Sequence, residues 1–311
     1  MFTDIAWTLT LAAAVASGTP LVFAGLGTLM AERVGVINLA VEGIMLLGAV
    51  VAVVIYGATQ SIIFAFLASG VSGLLASALL CLIVIPFRSN QIVSGLALTI
   101  FLSGLSIFLG SLFAGETKVP KIENVPIPVL VDIPIVGIAL FNHNYFVYLS
   151  WLVAIALSIF LFLTRPGLVA RSLGENPHAA ASLGIAVNPM RTLYVSIGGL
   201  LIGLGGGYIA VAVLGYWAGA ATVAGIGWIA IALVIVASWR PILLLVSAYI
   251  FGITIQANFA LQAAGISQVP PSILGMLPYL LTILLLTFLS LGKQTRGTSP
   301  RALGLPFIPG D

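Results

Sequence analysis

Apolar runs of about 20 residues, the length that a helix needs to cross the hydrocarbon core of a membrane, recur along the whole 311-residue chain. Segments that cross a bilayer in this way are helical, because each backbone N–H and C=O group has to find its partner inside the protein. The runs therefore predict an all-α polytopic membrane protein with about nine transmembrane helices. These lie at residues 6–31, 37–57, 61–86, 91–113, 144–164, 191–216, 227–238, 242–263 and 274–291, and the short seventh one also fits a re-entrant helix.

The composition agrees with a membrane protein and excludes a soluble one. Hydrophobic residues make up 61% of the chain and charged residues 6%, against roughly 45–50% and 25% in soluble domains. The single cysteine, Cys81, excludes an intrachain disulfide and a cysteine-rich metal site. We predict one membrane domain at 1–292 and a flexible cytoplasmic tail at 293–311, since the tail is polar and rich in Pro and Gly.

Basic residues are divided unequally between the two sets of predicted loops. Lys and Arg in short loops remain on the cytoplasmic side of a membrane. One set contains Arg33, Arg88, Arg165, Arg171, Arg191, Arg240, Lys293, Arg296 and Arg301, whereas the other contains Lys118 and Lys121 together with Asp4, Glu116, Glu123 and Asp132. This division predicts that the amino terminus lies outside and the carboxyl terminus in the cytoplasm. The net charge of +3 therefore reflects orientation and is no evidence for nucleic-acid binding.

The predicted cytoplasmic segment 165–191 contains a short helix with a cap at each end. Asn176 can accept backbone N–H groups as the N-cap, Pro177 fits the first helical position, and Gly184 can close the helix in a left-handed conformation. Asn188-Pro189 is then expected to stop the chain before the next span. Because the side chains between the caps are small, another surface can approach closely, and the helix is a candidate docking element. The alternative is an ordinary loop with one helical turn.

Small and acidic residues inside the predicted spans each have two interpretations. Glycines four residues apart line one helix face and let another helix approach. This favours helix packing for Gly199, Gly203 and Gly207 over a nucleotide-binding turn, since no strand precedes them. Glu42 is the carboxylate placed most clearly in a span. It is either a pathway or gating residue, or a structural tie to a backbone N–H or to Arg33.

Amide side chains in the spans either tie helices together or line a pathway for a neutral polar solute, because an amide both donates and accepts. The candidate pathway residues are Asn38, Glu42, Asn90, Gln91, Ser94, Gln256 and Asn258.

His143 and His178 are far apart in the chain, so no metal site is expected. Spacings typical of catalytic triads, paired carboxylates or zinc ligands do not occur, and catalysis by this chain is not expected. The outer segment 114–143 is punctuated by prolines and poorly suited to a long helix.

Several of these stretches resemble a known family. Arg171-Ser-Leu-Gly-Glu-Asn-Pro-His-Ala-Ala-Ala-Ser-Leu-Gly-Ile185 resembles the cytoplasmic coupling loop of permease subunits in bacterial ABC importers, in the branch that takes up branched-chain amino acids, simple sugars and nucleosides. Gly35-Val-Ile-Asn-Leu-Ala-Val-Glu-Gly43 is similar to a signature of that branch. Asn90-Gln-Ile-Val-Ser-Gly-Leu-Ala-Leu98 and Leu277-Pro-Tyr-Leu-Leu-Thr282 are most similar to nucleoside-type permeases served by a lipoprotein of the basic-membrane-protein class. Thr99 departs from the pattern, which has Asn there, and is not counted as a solute contact.

The resemblance implies a fold like that of the membrane subunit of the vitamin-B12 importer, with one amino-terminal span fewer than the usual ten. It implies ATPase-coupling roles for Arg171, Gly174, Glu175, Asn176, Pro177, Ala179, Ala180 and Gly184. It further implies three partners, namely a second, homologous permease chain in a heterodimer, a cytoplasmic ABC ATPase and an extracytoplasmic solute-binding lipoprotein. The chain itself is expected to hold no cofactor, with ATP and Mg bound by the ATPase, and to lie in the bacterial cell membrane.

The leading hypothesis is the membrane subunit of an ATP-driven importer, which forms half of the pathway for a small polar solute and works by alternating access. Nucleosides or nucleobases are the expected solutes, with simple sugars and branched-chain amino acids as alternatives. The sequence has no Gly-x-x-x-x-Gly-Lys-Ser/Thr phosphate-binding loop, so ATP hydrolysis is assigned to another subunit. From a different class, an ion-coupled secondary transporter would have Glu42 as its coupling-ion ligand. A scaffold or channel component is the third hypothesis.

Overall fold

The computed structural model describes residues 2–134, 136–263, 276–291 and 299–308, which are mostly helical. The helices are α1 (Phe2–Arg33), α2 (Val41–Thr59), α3 (Ile62–Val84), α4 (Gln91–Leu109), α5 (Val136–Phe141), α6 (Tyr145–Leu163), α7 (Arg165–Glu175), α8 (Pro177–Ser182), α9 (Val187–Tyr208), α10 (Ile226–Val236), α11 (Pro241–Ala263) and α12 (Leu277–Leu291). π-helical turns extend α4 over Gly110–Ala114 and α9 over Ile209–Leu214, and a 3₁₀ turn at Gly219–Thr222 precedes α10. Two short strands, β1 (Val125–Pro126) and β2 (Asn142–His143), pair in antiparallel fashion.

Helix α9 runs through the centre of the bundle, surrounded by α1, α2 and α3. Glycines bring its backbone against each neighbour, with Gly198 facing α1 and Gly206 facing α2. The glycines predicted to pack helices all face α3, where an added Cβ would collide with Ser69, Gly73 or Ser77; they are Gly199, Gly203 and Gly207. The centre of the bundle therefore depends on the close backbone contacts that small residues allow within a membrane.

Among the described residues, seven helical segments are long and apolar enough to cross a membrane. They are Thr8–Arg33, Val41–Thr59, Ile62–Val84, Gln91–Ala114, Tyr145–Leu163, Val187–Leu214 and Gly219–Val236. Helix α11 adds a shorter apolar stretch, Pro241–Ala257, and α12 has 15 residues. The fold is thus that of a membrane protein with many helices, while the count of nine spans stays a prediction.

Arginines from the predicted cytoplasmic loops meet at one end of the bundle, which we call the basic end. Arg33 and Arg171 lie over the same ring, that of Phe162, at 5.6 and 5.4 Å from its centroid. Arg191 donates from its Nη2 to the last turn of α7 at 3.1 Å. Lys118 lies at the opposite end, paired with the segment that follows α9. The charge asymmetry is therefore a feature of the fold, and the side of the membrane that the basic end faces stays a prediction.

The described part of the outer segment, 114–134 and 136–143, forms no long helix, as its prolines predicted. It contains the strand pair and α5, which pack against α1. His143 is buried in β2, with its Nε2 2.8 Å from the carbonyl oxygen of Ala139. Burial lowers the pKa of this imidazole below its ordinary value, so the neutral ring is favoured.

Candidate functional site

The coupling region, residues 165–191, folds into two short helices and then continues into α9. Helix α7 begins where the Thr164 hydroxyl accepts the N–H of Gly167 at 3.1 Å, and it has a proline in its first turn. The sequence pattern predicted only the second helix. Contrary to the prediction, Asn188-Pro189 does not stop the chain but lies in the first turn of α9. A proline is tolerated there because the first N–H groups of a helix have no intrahelical partner.

Helix α8 has the caps that the sequence predicted. Asn176 Oδ1 accepts the N–H of Ala179 at 3.0 Å, and Pro177 occupies the first helical position. At the other end, the N–H groups of Gly184 and Ile185 donate to carbonyls of the last helical turn at 2.9 and 3.2 Å, and Gly184 has a φ of +83°. This pair of bonds is a Schellman motif, which satisfies carbonyls that a helix end leaves without partners.

The predicted ATPase-coupling residues divide into an exposed and a buried group. Glu175, Asn176, Ala179 and Gly184 are exposed, Gly174, Pro177 and Ala180 are buried, and Arg171 is half-buried. Ala180 is 2% exposed, so it packs α8 onto the bundle and is not available to a partner. Leu183, which the sequence pattern did not single out, is 81% exposed at the tip of the region. The surface that a partner can reach therefore includes the exposed group, Leu183, His178 and Ser182.

Residues 299–308 form a strap, here called the C-terminal strap, that lies across the basic end. The N–H of Ala302 donates to the carbonyl of Gly174 at 2.8 Å, and the N–H of Gly304 donates to the carbonyl of Gly35 at 3.1 Å. Gly174 leaves no space for a Cβ between the Arg33 carbonyl and the strap. The strap thus joins the end of α7 to the turn between α1 and α2.

The C-terminal strap is the described part of the tail predicted at 293–311, and it makes a second contact with the coupling region. Phe307 of the strap lies beside His178 of α8, with ring centroids 5.2 Å apart. The small and apolar residues of the strap find backbone and ring partners at the basic end, so 299–308 is a packed element. Lys293 and Arg296 lie outside the described residues.

The corner between α1 and α2, residues 32–42, contains two buried charged residues. Glu32 and Arg33 are 5% and 9% exposed. Trp239, in the turn between α10 and α11, contacts both: its indole Nε1 donates to Glu32 Oε2 at 2.6 Å, and its carbonyl accepts from Arg33 Nε and Nη2 at 3.0 and 2.6 Å. This cluster was missed because its members lie 206 residues apart or more. The feature of the sequence that could have indicated this cluster is Trp239 itself, because a buried indole N–H needs a hydrogen-bond acceptor.

Glu42, at the far end of this corner, caps a helix other than its own. Its Oε1 accepts the N–H of Gly225 at 2.7 Å, and its Oε2 accepts the N–H of Gly227 at 2.8 Å. Both donors belong to the amino-terminal end of α10, where unpaired N–H groups and the helix dipole stabilise a carboxylate. Of the interpretations of Glu42, these contacts favour a tie to backbone N–H groups, and Arg33 is not its hydrogen-bond partner.

The other candidate pathway residues are engaged in separate bonds, and the described structure gathers most of them at the corner but places Gln256 elsewhere. Asn38 accepts the N–H of Ala40, Asn90 caps the start of α4, Gln91 accepts the N–H of Ile37, Ser94 bonds Ser89, and Gln256 donates to Ser17. Asn38, Asn90, Gln91 and Ser94 lie in or next to the corner. Gln256 lies in the carboxyl-terminal half of α11. The side chain of Asn258 lies outside the described residues. The bonds of Gln91 and Gln256 favour a role as ties between segments, whereas those of Asn38, Asn90 and Ser94 are local.

Between α9 and α10 the chain leaves the α-helical conformation, apart from the 3₁₀ turn at Gly219–Thr222, while it still runs alongside transmembrane helices. We call residues 215–225 the broken segment. It begins near the end of α4, where Trp217 lies against Gly110, and it ends beside Glu42. Ala220, Ala221 and Ala224 are exposed in it. Non-helical backbone at membrane depth has to be covered by protein or to line a water-filled cavity, so this segment is a candidate lining of a transport pathway.

Metal chemistry has no support in the described part of the chain. Those residues contain no group of three or more His, Cys, Asp and Glu that could hold a metal ion. His178 is on the surface of α8, and His143 is in the outer segment. The functional groups that the structure does assemble are backbone hydrogen bonds, helix ends and the buried charges of the corner.

Comparison with known proteins places this arrangement in a family. Residues 10–286 match the family described as the permease component of the branched-chain amino acid transport system. The chain belongs to this permease family. It is 36% identical over 301 residues to the nucleoside ABC transporter permease protein NupC of Lactococcus lactis, with 93% of each chain covered. It is 35% identical over 308 residues to the guanosine ABC transporter permease protein NupQ of Bacillus subtilis, with 94% of this chain and 93% of that one covered.

A third relative of the permease has a different solute in its name. The putative glucose ABC transporter permease protein TsgC13 of Haloferax volcanii is 34% identical over 297 residues, with 89% of this chain and 90% of that one covered. No solved structure matches the chain. The matches confirm the resemblance drawn from the coupling-loop and signature stretches. They make the permease a transport subunit and not an enzyme, in agreement with the seven apolar helical segments found among the described residues.

Proposed function

We propose that this permease forms half of an ATP-driven importer for nucleosides in the cell membrane. The observation that carries the solute class is the similarity, over more than nine-tenths of the chain, to two permeases named for nucleoside and guanosine transport. A putative glucose permease is similar to nearly the same extent, so a simple sugar is the second candidate. The family description keeps branched-chain amino acids as the third.

Helix α8 is the proposed contact with a separate ABC ATPase, which binds the ATP and Mg. Its two caps make it a rigid unit, and its exposed residues and Leu183 point away from the bundle. The coupling region is continuous with α6 on one side and α9 on the other. Movement of α8 when the ATPase dimer closes would therefore act on both helices and reopen the pathway between two permease chains.

The proposed topology has nine spans, the amino terminus outside and the carboxyl terminus in the cytoplasm, in a fold like that of the vitamin-B12 importer. The gathering of arginines at the basic end supports this orientation, because basic loops remain cytoplasmic. Helices α11 and α12 supply the eighth and ninth spans. A homologous permease completes the pathway as a heterodimer, and a solute-binding lipoprotein delivers the solute at the opposite end.

The solute class is tested by uptake into vesicles that contain the permease pair, the ATPase and the solute receptor. We expect ATP-dependent uptake of labelled guanosine, with competition from unlabelled adenosine and none from glucose or leucine. ATP-dependent uptake of labelled glucose without uptake of guanosine would establish the second candidate. Uptake by proteoliposomes containing only this chain, driven by a sodium or proton gradient, would establish the secondary-transporter hypothesis.

The coupling role of α8 is tested by Leu183→Asp, which changes the exposed tip without removing internal packing. We expect co-purification of the ATPase and uptake to fall by at least about tenfold, corresponding to about 1.4 kcal/mol, since a charge at a protein contact is desolvated. Leu130→Asp is the matched control, because Leu130 is 38% exposed in the outer segment. Normal uptake with normal ATPase association in the Leu183 variant would contradict the role. Ala180 is unsuitable, because a charge at this buried position would also unfold α8.

A further inference from the structure

We propose that α10 is the gate of the transport pathway and that the corner between α1 and α2 connects it mechanically to the coupling region. This inference rests on the proposed function, because it assigns the moving part within an ATP-driven permease. Glu32, Arg33 and Glu42 are then positioning residues, which act through α10 and need not touch the solute.

The corner holds α10 at both of its ends. Glu42 accepts two N–H groups at the amino-terminal end, at 2.7 and 2.8 Å. Beyond the carboxyl-terminal end, Trp239 is bonded to Glu32 through its indole and to Arg33 through its carbonyl. Because Glu32 and Glu42 belong to one short stretch of chain, a displacement of the corner moves both ends of α10 in the same direction. The helix is thus tethered as a rigid body.

The same corner is packed closely against the coupling region at Gly174. The Arg33 carbonyl lies against Gly174 of α7, where an added Cβ would collide with it. The C-terminal strap bonds Gly174 on one side and Gly35 on the other. Arg191 donates to the carbonyl of Leu173 at 3.1 Å and to the strap at 3.2 Å. Closely packed protein transmits displacement, so movement of α7 and α8 reaches the corner directly.

Displacement of α10 can also open the transport pathway to the solute. Its 11 residues span about 16 Å, roughly half of the hydrocarbon core of about 30 Å. The broken segment precedes it, and Gly219 in that segment has no atom within 4 Å of where a Cβ would be. Ala220, Ala221 and Ala224 of that segment are exposed, and backbone polar groups at such positions would suit a neutral polar solute. A shift of α10 changes how much of this polar backbone is accessible.

The gate is tested by distance measurements on spin labels in the reconstituted complex, with Cys81 replaced by Ala. One pair is placed at Ile235 of α10 and Leu75 of α3, which are 44% and 62% exposed. A reference pair joins Leu75 to Leu193 of α9, which is 50% exposed. On addition of ATP and vanadate we expect the Ile235–Leu75 distance to change while the reference distance stays constant. A constant Ile235–Leu75 distance in a complex that transports would overturn the proposal and leave the proposed function intact.

The tether is tested by Glu42→Gln in the same complex. The amide keeps the size of the side chain but has one acceptor oxygen, so one N–H at the start of α10 loses its partner. We expect ATP hydrolysis and ATPase association to persist, uptake to fall at least about tenfold, corresponding to about 1.4 kcal/mol, and the ATP-dependent change at Ile235 to disappear. Glu116→Gln, an exposed carboxylate of the outer segment, should change none of these. A Glu42 variant with wild-type uptake per ATP hydrolysed would overturn the tether, whereas a wild-type complex without ATP-dependent uptake would overturn the proposed function itself.

Discussion

Helices α9 and α10 both contact α1 and α2, but they are held by different means. For α9 with its π turn, 72% of the most apolar stretch is buried, and its glycines press backbone against backbone on three sides. For the span that contains α10, the buried share is 39%, and charged side chains hold its ends through hydrogen bonds. Helix α9 is thus fixed by backbone contacts along its length, whereas α10 packs one face through Ile229, Ala230, Leu233 and Val234 and is held at its ends by side-chain hydrogen bonds.

The two kinds of contact differ in how much movement of the helix they tolerate. Where glycines bring two helix backbones into direct contact, no side chain between them can rotate to follow a movement. Any separation of the helices therefore loses many dispersion contacts at once. A side chain such as that of Glu42 can rotate about its own bonds and keep its hydrogen bonds while the helix moves. A transporter needs both properties, namely a frame that resists movement and an element that can move within it.

The largest expected effect comes from Gly203→Val in the fixed part. Gly203 lies between Gly48 of α2 and Gly73 of α3, and its Cβ would collide with the Ser69 carbonyl. Overpacking at such a site costs at least about 3 kcal/mol, a large part of the stability of a folded protein. We expect little or no folded permease after detergent extraction, measured by gel filtration.

Gly104→Val is the matched control for this substitution, since an added Cβ at Gly104 of α4 meets no atom within 4 Å. It should leave the yield of folded permease within the range of the wild type. Equal yields for the two variants would show that α9 is less tightly fixed than its glycine contacts indicate.

An intermediate effect is expected from Trp239→Phe in the tethered part. The change removes the indole N–H that Glu32 Oε2 accepts at 2.6 Å and leaves a buried carboxyl group without that donor. We expect a loss of about 1.5–3 kcal/mol, the usual contribution of a hydrogen bond to a charged group, seen as a lower melting temperature of a permease that still folds. Trp228→Phe, on a residue of α10 that is 40% exposed, should change the melting temperature little.

The smallest effect is expected at the contact between α3 and α9, and its sign is opposite. The buried Ser77 hydroxyl lies against Gly199 and has no hydrogen-bond partner among the described residues. Ser77→Ala removes an unsatisfied polar group, which should stabilise the permease by up to about 1 kcal/mol. Thermal melting in detergent measures the change. A clear decrease in melting temperature would mean that the hydroxyl is satisfied and that this contact contains a polar bond.

Features with a local cause could be predicted from the sequence. Asn176 and Gly184 cap α8 through atoms a few residues away, and the glycines four residues apart in α9 face one neighbour because of helix geometry. The burial of Ala180 was not predictable, because it depends on which face of α8 meets the bundle. The first helix of the coupling region was also missed, since its proline at the start resembles a loop signal.

Residues with distant partners could not be assigned from the sequence, for a different reason. Glu42 had two open interpretations until its donors were located 183 and 185 residues away. The contacts of strap residues 299–308 could not be predicted either, because Gly174 and Gly35, which accept their hydrogen bonds, lie far away in the chain. The composition of a segment shows which kinds of hydrogen bond it can form. It does not show which distant residue lies beside that segment in the folded protein.

The sequence by itself determined that this protein lies in a membrane, that its spans are helical and that it belongs to a family of permeases, because these properties depend on hydropathy and on short contiguous motifs. Only the tertiary structure decided that one corner of the chain holds both ends of α10 and is packed against the coupling region. The reason is physical: a buried charge must be paired, but many arrangements of the spans could pair it, and only the packing of the whole bundle selects one of them.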